Sequence, residues 1–423
     1  MKRLASFIIF LILSITSSAQ WFLQDPLPTS NSLNKVRLNS SSVGWIVGAV
    51  GTILRTTNGG SSWQSQSSGT TNNLNDVSFT DANNVTVVGD SGIILRTTDG
   101  GSSWQSQSSG TTNILHGVSF TDANIGTVVG DSGIILRTTN GGSSWQSQSS
   151  EATGFLNGVS FTDKNNGTIV GSGWNGISNV SIIIRTTNGG TTWSIQTSGT
   201  TWGLESVAFT DSNSGIAVGG GSYGGNVSVG ILLRTTNGGT NWTEQLSLTG
   251  VFAGPLIDVS FSDANHGAVV NLISIRRTTD GGITWLDQDS PMPVILASVS
   301  FTDVYNGVAA GRDGTILRTT NGGVTFIGEE NSITKPQDFA LFQNFPNPFN
   351  PNTVISYSLP LASNLRLIVF NSLGQKVKVL ENGFKKAGNY SVNFIASDLP
   401  SGVYFYRIQA GSFVETKKMM LLK

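Results

Sequence analysis

The tripeptide Arg-Thr-Thr begins at Arg55, Arg96, Arg137, Arg185, Arg234, Arg277 and Arg318, at spacings of 41, 41, 48, 49, 43 and 41 residues. Seven copies of one unit constrain the fold more than any single residue, because no unit can bury its apolar face without its neighbours. In the second unit NDVSFTD (75–81), NVTVVGD (84–90), GIILRTT (92–98) and SSWQSQ (102–107) read as four short strands, here called A to D. Asp-Ala-Asn-Asn, Gly-Asp-Ser-Gly and Asn/Asp-Gly-Gly separate them, and these residues tolerate positive φ or form Asx turns. Four strands in about 41 residues predict an all-β chain whose units pack around an axis as a seven-bladed β-propeller. A straight solenoid is the alternative. The low charge, 12% of residues, and the 52 glycines fit turn-rich β structure rather than disorder.

A propeller must also close its ring. The segment WFLQ (21–24) repeats the pattern of strand D, WQSQ (63–66). It is expected to pair with the last unit beside TILRTT (315–320). VTFIGEE (324–330) is then left either to complete that sheet or to lead out of it.

Between strands C and D each unit carries Thr-x-Asn/Asp-x-Gly, followed in most by x-Ser/Thr-Trp and in the last by Val324 to Phe326, which fits the Asp-box pattern. The turn residues and their aromatic plugs are Asn58 and Trp63, Asp99 and Trp104, Asn140 and Trp145, Asn188 and Trp193, Asn237 and Trp242, Asp280 and Trp285, and Asn321 with Phe326. The Asn or Asp oxygen is expected to accept backbone N–H groups across the turn, with the aromatic ring packed beneath. The longer pattern V-x-F-T-D, G-x-x-V-G, G-x-I-L-R-T-T-N-G-G-x-x-W resembles the repeat of the photosystem II assembly and stability factor family, over about residues 21–328. The resemblance implies a seven-bladed propeller, a protein-binding role in assembly and an arginine-rich surface. The repeat arginines are expected to be structural, bonded to carbonyls of the neighbouring blade or to the Asp of the F-T-D turn.

If the repeats are scaffold, recognition belongs where they differ. The B–C connection lengthens to GSGWNGISNVS (171–181) and GGGSYGGNVSVG (219–230), and the D–A connections bring in further aromatics. Trp174, Trp202, Tyr223 and Phe252 are the expected ligand-binding patch, suited to sugar rings or peptide side chains. The plainer reading is that these rings cap one another as small loop cores. Enzymes of the Asp-box class include sialidases and other glycosidases, so the start of strand A, near the axis, matters as well. That position reads Lys35, Asp76, Gly117, Gly158, Ser206, Asp258 and Ser298, with His116 and Glu205 one residue earlier. Asp76, Glu205 and Asp258 are the candidate catalytic carboxylates of a glycoside hydrolase; the plainer reading makes them solvated rim residues. A sialidase also needs three converging arginines, and most arginines here are repeat members, with Arg276 and Arg312 among the exceptions. His116 and His266 read as drifted turn residues. A non-catalytic binding or assembly scaffold for an extracellular protein or glycan is therefore the leading expectation, with glycoside hydrolysis second.

The ends of the chain speak to location. MKRLASFIIFLILSITSSAQ has two basic residues, an apolar run from Leu4 to Ile15 and small residues at Ser17 and Ala19, and reads as a signal peptide spanning 1–19. No later segment is apolar enough to cross a membrane. There is no cysteine, which excludes disulfides, thiolate metal sites and a thiol nucleophile. With no D-x-D-x-D-G loop, no paired histidines and no Gly-rich turn leading into a helix, no metal or cofactor is expected. Residues 20–334 carry 12 basic and 21 acidic side chains, a net −9, so nucleic acid is an unfavourable partner. Residues 335–423 carry 10 basic and 4 acidic, a net +6.

This change of composition marks a second domain. The propeller is expected over 20–329, a linker over 330–339 and a small immunoglobulin-like β-sandwich over 340–423, with strands TVISYSL, NLRLIVFN, YSVNFIA, GVYFYRIQA and FVETKKMMLL. FPNPFNPNT, LGQKV, DLPSGVYFYRI and the terminal Lys-Lys-Met-Met-Leu-Leu-Lys occur in order. They resemble the type A C-terminal sorting domain of the type IX secretion system. That resemblance implies the secretion machinery as partner of residues 340–423 and a secreted or outer-surface location.

Overall fold

A computed structural model describes residues 21–39, 42–174, 179–223, 227–250, 254–288, 294–323, 339–344, 347–386 and 388–422. The proposed signal peptide, Phe252, Phe326 and nearly all of the expected linker lie outside these residues, as do the side chains of Trp174 and Tyr223. The chain divides into two compact units, Met1–Thr325 and Phe326–Lys423.

The first unit contains seven four-stranded antiparallel sheets among the described residues. Their A strands, Leu33–Leu38, Leu74–Phe79, Leu115–Phe120, Phe155–Phe161, Leu204–Phe209, Asp258–Phe261 and Leu296–Phe301, each touch the next, and the seventh touches the first. The ring is a seven-bladed propeller. In blade 7 the fourth strand is Phe22–Leu23, with Phe22 opposite Arg318 and Leu23 opposite Leu317. Sequential blades thus close on the N-terminal strand, as the WFLQ pattern predicts.

Closure also brings an aromatic plug to blade 7. In blades 3 to 6 the plug tryptophan stands edge-on to the V-x-F phenylalanine of its own blade, as Trp145 does on Phe120 at 6.0 Å and Trp193 on Phe161 at 6.1 Å. In blade 7 this place belongs to Trp21, fully buried and edge-on to Phe301 at 5.7 Å. The residue seated on Phe301 thus comes from the other end of the domain, while Phe326 lies outside the described residues.

The C–D turns are built as the Asn/Asp chemistry dictates. Asn58 Oδ1 accepts the Thr56 hydroxyl at 3.0 Å and the Ser62 N–H at 2.9 Å, while Gly60 N–H donates to Thr56 Oγ1. Asp99 makes the same contacts and adds the Ser103 hydroxyl at 2.6 Å. The Ser103 hydroxyl and N–H, with the Thr97 hydroxyl, draw its carboxyl down to about 2. The two glycines that follow each Asn or Asp take positive φ, for example 67° and 79° at Gly59 and Gly60, a conformation costly to other residues.

Two sets of side chains hold the blades to one another. The repeat arginine reaches forward: Arg137 Nη1 donates to Thr127 Oγ1 in its own blade and Nη2 to the Lys164 carbonyl of blade 4, with its guanidinium 4.8 Å from the Phe161 ring. Arg96 and Arg185 repeat this geometry, Arg277 spends both terminal guanidinium nitrogens on the Gly322 and Val304 carbonyls of blade 7, and Arg234 and Arg318 donate to the Gly281 and Gly59 carbonyls. Each such phenylalanine lies between the arginine of one blade and the tryptophan of its own. The V-S-F serine works nearer the axis. Ser78, Ser119, Ser160, Ser260 and Ser300 accept N–H bonds from Phe120, Phe161, Phe209, Phe301 and Leu38 of the following blade. The last of these carries the ring from blade 7 to blade 1.

The second unit is a small β-sandwich. Ala340–Leu341, Asn352–Leu359 and Gly388–Ile395 form one sheet; Lys376–Lys385, Ser363–Asn371, Gly402–Ala410 and Phe413–Leu421 form the other. Ile355, Tyr357, Leu367, Tyr406 and Met419 from the two sheets share a single core. Lys376–Lys385 is a strand the sequence reading omits, because its Lys-Val-Lys-Val-Leu-Glu-Asn-Gly run lies at a sheet edge and buries little. The Asn-Pro-Phe motif and the terminal strand meet directly. Phe349 N–H donates to the Met420 carbonyl, Leu422 N–H to the Phe349 carbonyl and Met420 N–H to Asn347 Oδ1.

Candidate functional site

Strand A carries the residues nearest the axis, and in six blades it contains a bulge. The register slips between Leu33 and Lys35, Leu74 and Asp76, Leu115 and Gly117, Leu156 and Gly158, Leu204 and Ser206, and Leu296 and Ser298. The unpaired residues are Asn34, Asn75, His116, Asn157, Glu205 and Ala297. A bulge re-aims its side chain, here toward the channel mouth on the face of the B–C connections. Asn34, Asn75 and Asn157 each donate Nδ2 to a leucine carbonyl of the next blade, Leu74, Leu115 and Leu204, at 2.9, 3.1 and 2.9 Å. His116 instead pairs Nε2 with Asp131 Oδ1 of its own B–C turn at 2.6 Å. The turn reading holds for His266, bonded to Asp263 three residues away, and is corrected for His116, which lies in strand A.

Glu205 departs furthest from the ring. A carboxylate cannot donate to a carbonyl, and its one hydrogen bond among the described residues comes from Asn157 Nδ2 at 3.3 Å. It is open to water at the mouth, yet the channel wall crowds it. Desolvation pushes its carboxyl above the ordinary value, against the opposing influence of His116.

One step deeper the expected axial set is found, in a different role. Asp258 of blade 6 is fully buried and accepts Lys35 Nζ of blade 1 at 2.8 Å, Ser206 Oγ at 2.9 Å, Ser298 Oγ at 2.5 Å and Val299 N–H at 3.2 Å. Burial favours the neutral acid, but Lys35 and Arg37, with the Lys35 and Ser298 hydrogen bonds, bring its carboxyl down to about 2. Asp76, also buried, accepts the N–H of Val77 and of Val118 in the next blade at 2.8 and 2.9 Å. The rim reading is therefore corrected for both residues: they are inter-blade acceptors. At Gly117 and Gly158 a Cβ would come within 3.1 Å of the Asn157 and Glu205 carbonyl oxygens, so these blades join by close backbone approach.

The lengthened B–C connections are strands rather than loops. In blade 4 Gly167–Trp174 and Asn179–Thr186 stay paired to the end of the hairpin, Trp174 opposite Asn179. In blade 5 Gly215–Tyr223 and Val227–Thr235 do the same, and Thr243–Gly250 adds a third strand. The Gly, Ser and Asn content hid this, since those residues signal turns. Two arms thus stand on the face that carries the channel mouth. Trp202 is half-buried and packs on the blade 5 core, where a Cβ on Gly221 would lie 2.8 Å from its ring, so the loop-core reading describes it in part. Sequence reasoning missed exposed apolar residues on this face: Leu272 and Ile273 in the blade 6 B–C turn, Ile295 before blade 7 and Phe155 at the start of blade 4. No group of three or more His, Cys, Asp or Glu suited to a metal ion occurs among the described residues.

The fold defines a seven-bladed β-propeller followed by a C-terminal β-sandwich. Residues 13–154 match the family model of the photosynthesis system II assembly factor YCF48, and residues 343–422 match that of secretion system C-terminal sorting domains. The type IX sorting tail marks the chain for export, to a secreted or cell-surface location. Among solved structures, YCF48 bound to D1 peptide aligns with a TM-score of 0.56 at 22% identity, over 71% of this chain and 97% of that one. YCF48 from Cyanidioschyzon merolae gives 0.56 at 24%, over 71% and 99%. The WD40 propeller domain of Doa1 gives 0.53 at 11%, over 71% and 97%. No curated protein sequence matches the chain.

Proposed function

We propose that this exported propeller is a non-catalytic binding or assembly scaffold for an extracellular protein or glycan, which it engages on the face bearing the arms of blades 4 and 5. The observation that carries this reading is the division of labour around the ring. The repeated arginines, serines and box turns are spent on holding blades together, while the departures from the repeat gather on one face. Trp174, Trp202, Tyr223 and Phe252 belong to those departures and are the proposed contact residues. A YCF48 propeller solved with a bound peptide supports the capacity of this architecture for such a role. The employment of Asp76 and Asp258 as buried inter-blade acceptors weighs against the hydrolase alternative, which needs an open carboxylate pair.

The test is a glycan array and a panel of extracellular proteins probed with the full chain and with a Trp174→Ala/Trp202→Ala variant. The expected result is a specific ligand whose binding the double substitution weakens by about tenfold or more. Unaltered binding in the variant removes the patch, and turnover of any arrayed glycoside restores the hydrolase reading.

A further inference from the structure

The bulge ring at the channel mouth points to a ligand chemistry for the arm-bearing face. In blades 1, 2 and 4 the bulge residue is an asparagine spent on the neighbouring leucine carbonyl, and in blade 3 it is a histidine spent on Asp131. Blade 5 places a carboxylate there instead. Among the described residues no cation lies within ion-pair distance of Glu205, and its single 3.3 Å amide contact leaves acceptor capacity unused. The same channel already shows what such a carboxylate takes. The residue after Glu205, Ser206, bonds Asp258, and Asp258 holds the Lys35 ammonium at 2.8 Å. That inner pair has its cation built in, whereas the outer carboxylate faces the mouth.

Around it, Asp90 and Asp131 stand in the B–C turns of blades 2 and 3, each held by Asn or His donors from its own blade. Arg312 occupies the corresponding turn of blade 7, where the bulge residue is Ala297. The B–C face thus carries acidic side chains in blades 2, 3 and 5, with a basic one in blade 7.

We infer that Glu205 is the anchor of a cation-binding subsite, taking a lysine ammonium or arginine guanidinium that a partner polypeptide inserts into the channel mouth. The inference rests on the proposed binding face and makes the partner a protein rather than a glycan. Partly desolvated charge pairs at such a mouth contribute more than rim pairs in open water, and they select against uncharged side chains.

The probe is the tripeptide acetyl-Gly-Lys-Gly-amide with the full chain, followed by saturation-transfer NMR. Transfer to the lysine ε-methylene is expected, with loss when the amine is acetylated and an affinity drop of about tenfold in Glu205→Gln. Glu151→Gln removes one exposed carboxylate from a D–A connection of the same face and is expected to leave binding unchanged. Thermal unfolding of both variants establishes that each is folded, and the isosteric Gln keeps the shape of the site. Equal losses in the two variants, unimpaired binding of the acetylated peptide, or no transfer with either the lysyl or an arginyl peptide would overturn the subsite. The double tryptophan variant separates the two readings. If lysyl binding fails while that variant still loses a captured ligand, only the cation subsite falls.

Discussion

At the residue scale, the repeated side chains are joints between blades. Arg137 spends one guanidinium nitrogen on its own blade, another on the Lys164 carbonyl of blade 4, and its face on Phe161. Arg137→Ala is expected to destabilise the propeller by about 2 kcal/mol in chemical denaturation, and Arg137→Lys to recover only part of this because one ammonium cannot serve both acceptors in a fixed fork. Asp258 is the more demanding joint. Asp258→Asn leaves Lys35 without its counter-charge and is expected to cost about 3 kcal/mol. The pH dependence follows the same pair. The Asp258 carboxyl lies at about 2 against an ordinary 3.8, so its contribution is complete above pH 3.8 and is lost as the pH falls toward 2. Acid denaturation of wild type and Asp258→Asn should therefore differ at neutral pH and converge near pH 2; a constant gap would contradict the ion-pair account. The acidic character of Asp76 and Asp258 was legible in the sequence, but their burial was not. It depends on Val118 and Lys35, which lie 42 and 223 residues away along the chain.

At the scale of elements, strand D of blade 7 shows how far pattern reaches. WFLQ was recognisable as a D strand because its tryptophan leads the segment as Trp63 leads WQSQ, and the structure seats Trp21 on Phe301 in that role. Trp21→Ala empties the plug that joins the two ends of the domain and is expected to cost about 3–5 kcal/mol. Hydrogen exchange should show blade 7 losing protection before blades 2 to 4; uniform loss would mean that closure is not the weak joint. Other elements were hidden for identifiable reasons. The arms of blades 4 and 5 read as loops because Gly, Ser and Asn dominate them, yet paired backbone continues through Ser172 and Ser222. The strand A bulge has no composition signal, and it alone moves His116 from a presumed turn to the channel mouth. The edge strand Lys376–Lys385 alternates too little apolar surface to stand out.

At the scale of the whole molecule, the propeller unit is a regular frame with one irregular face, and the sandwich unit brings together the motifs that mark the chain for export. The ring was legible from period and turn chemistry because seven equivalent units must satisfy one another in the same way. The proposed recognition face was legible only as the place where equivalence fails. The central claim is that this failure, at the arms and at Glu205, is where partners bind. The most direct measurement is the hydrogen-exchange footprint, on the full chain, of the strongest ligand recovered from the extracellular protein and glycan screen. Protection is predicted over Gly167–Trp174, Asn179–Thr186, Gly215–Tyr223 and Val227–Thr235, together with the start of Leu204–Phe209. Protection centred instead on the C–D turns at Asn58, Asp99 and Asn140, on the opposite face, would contradict the account.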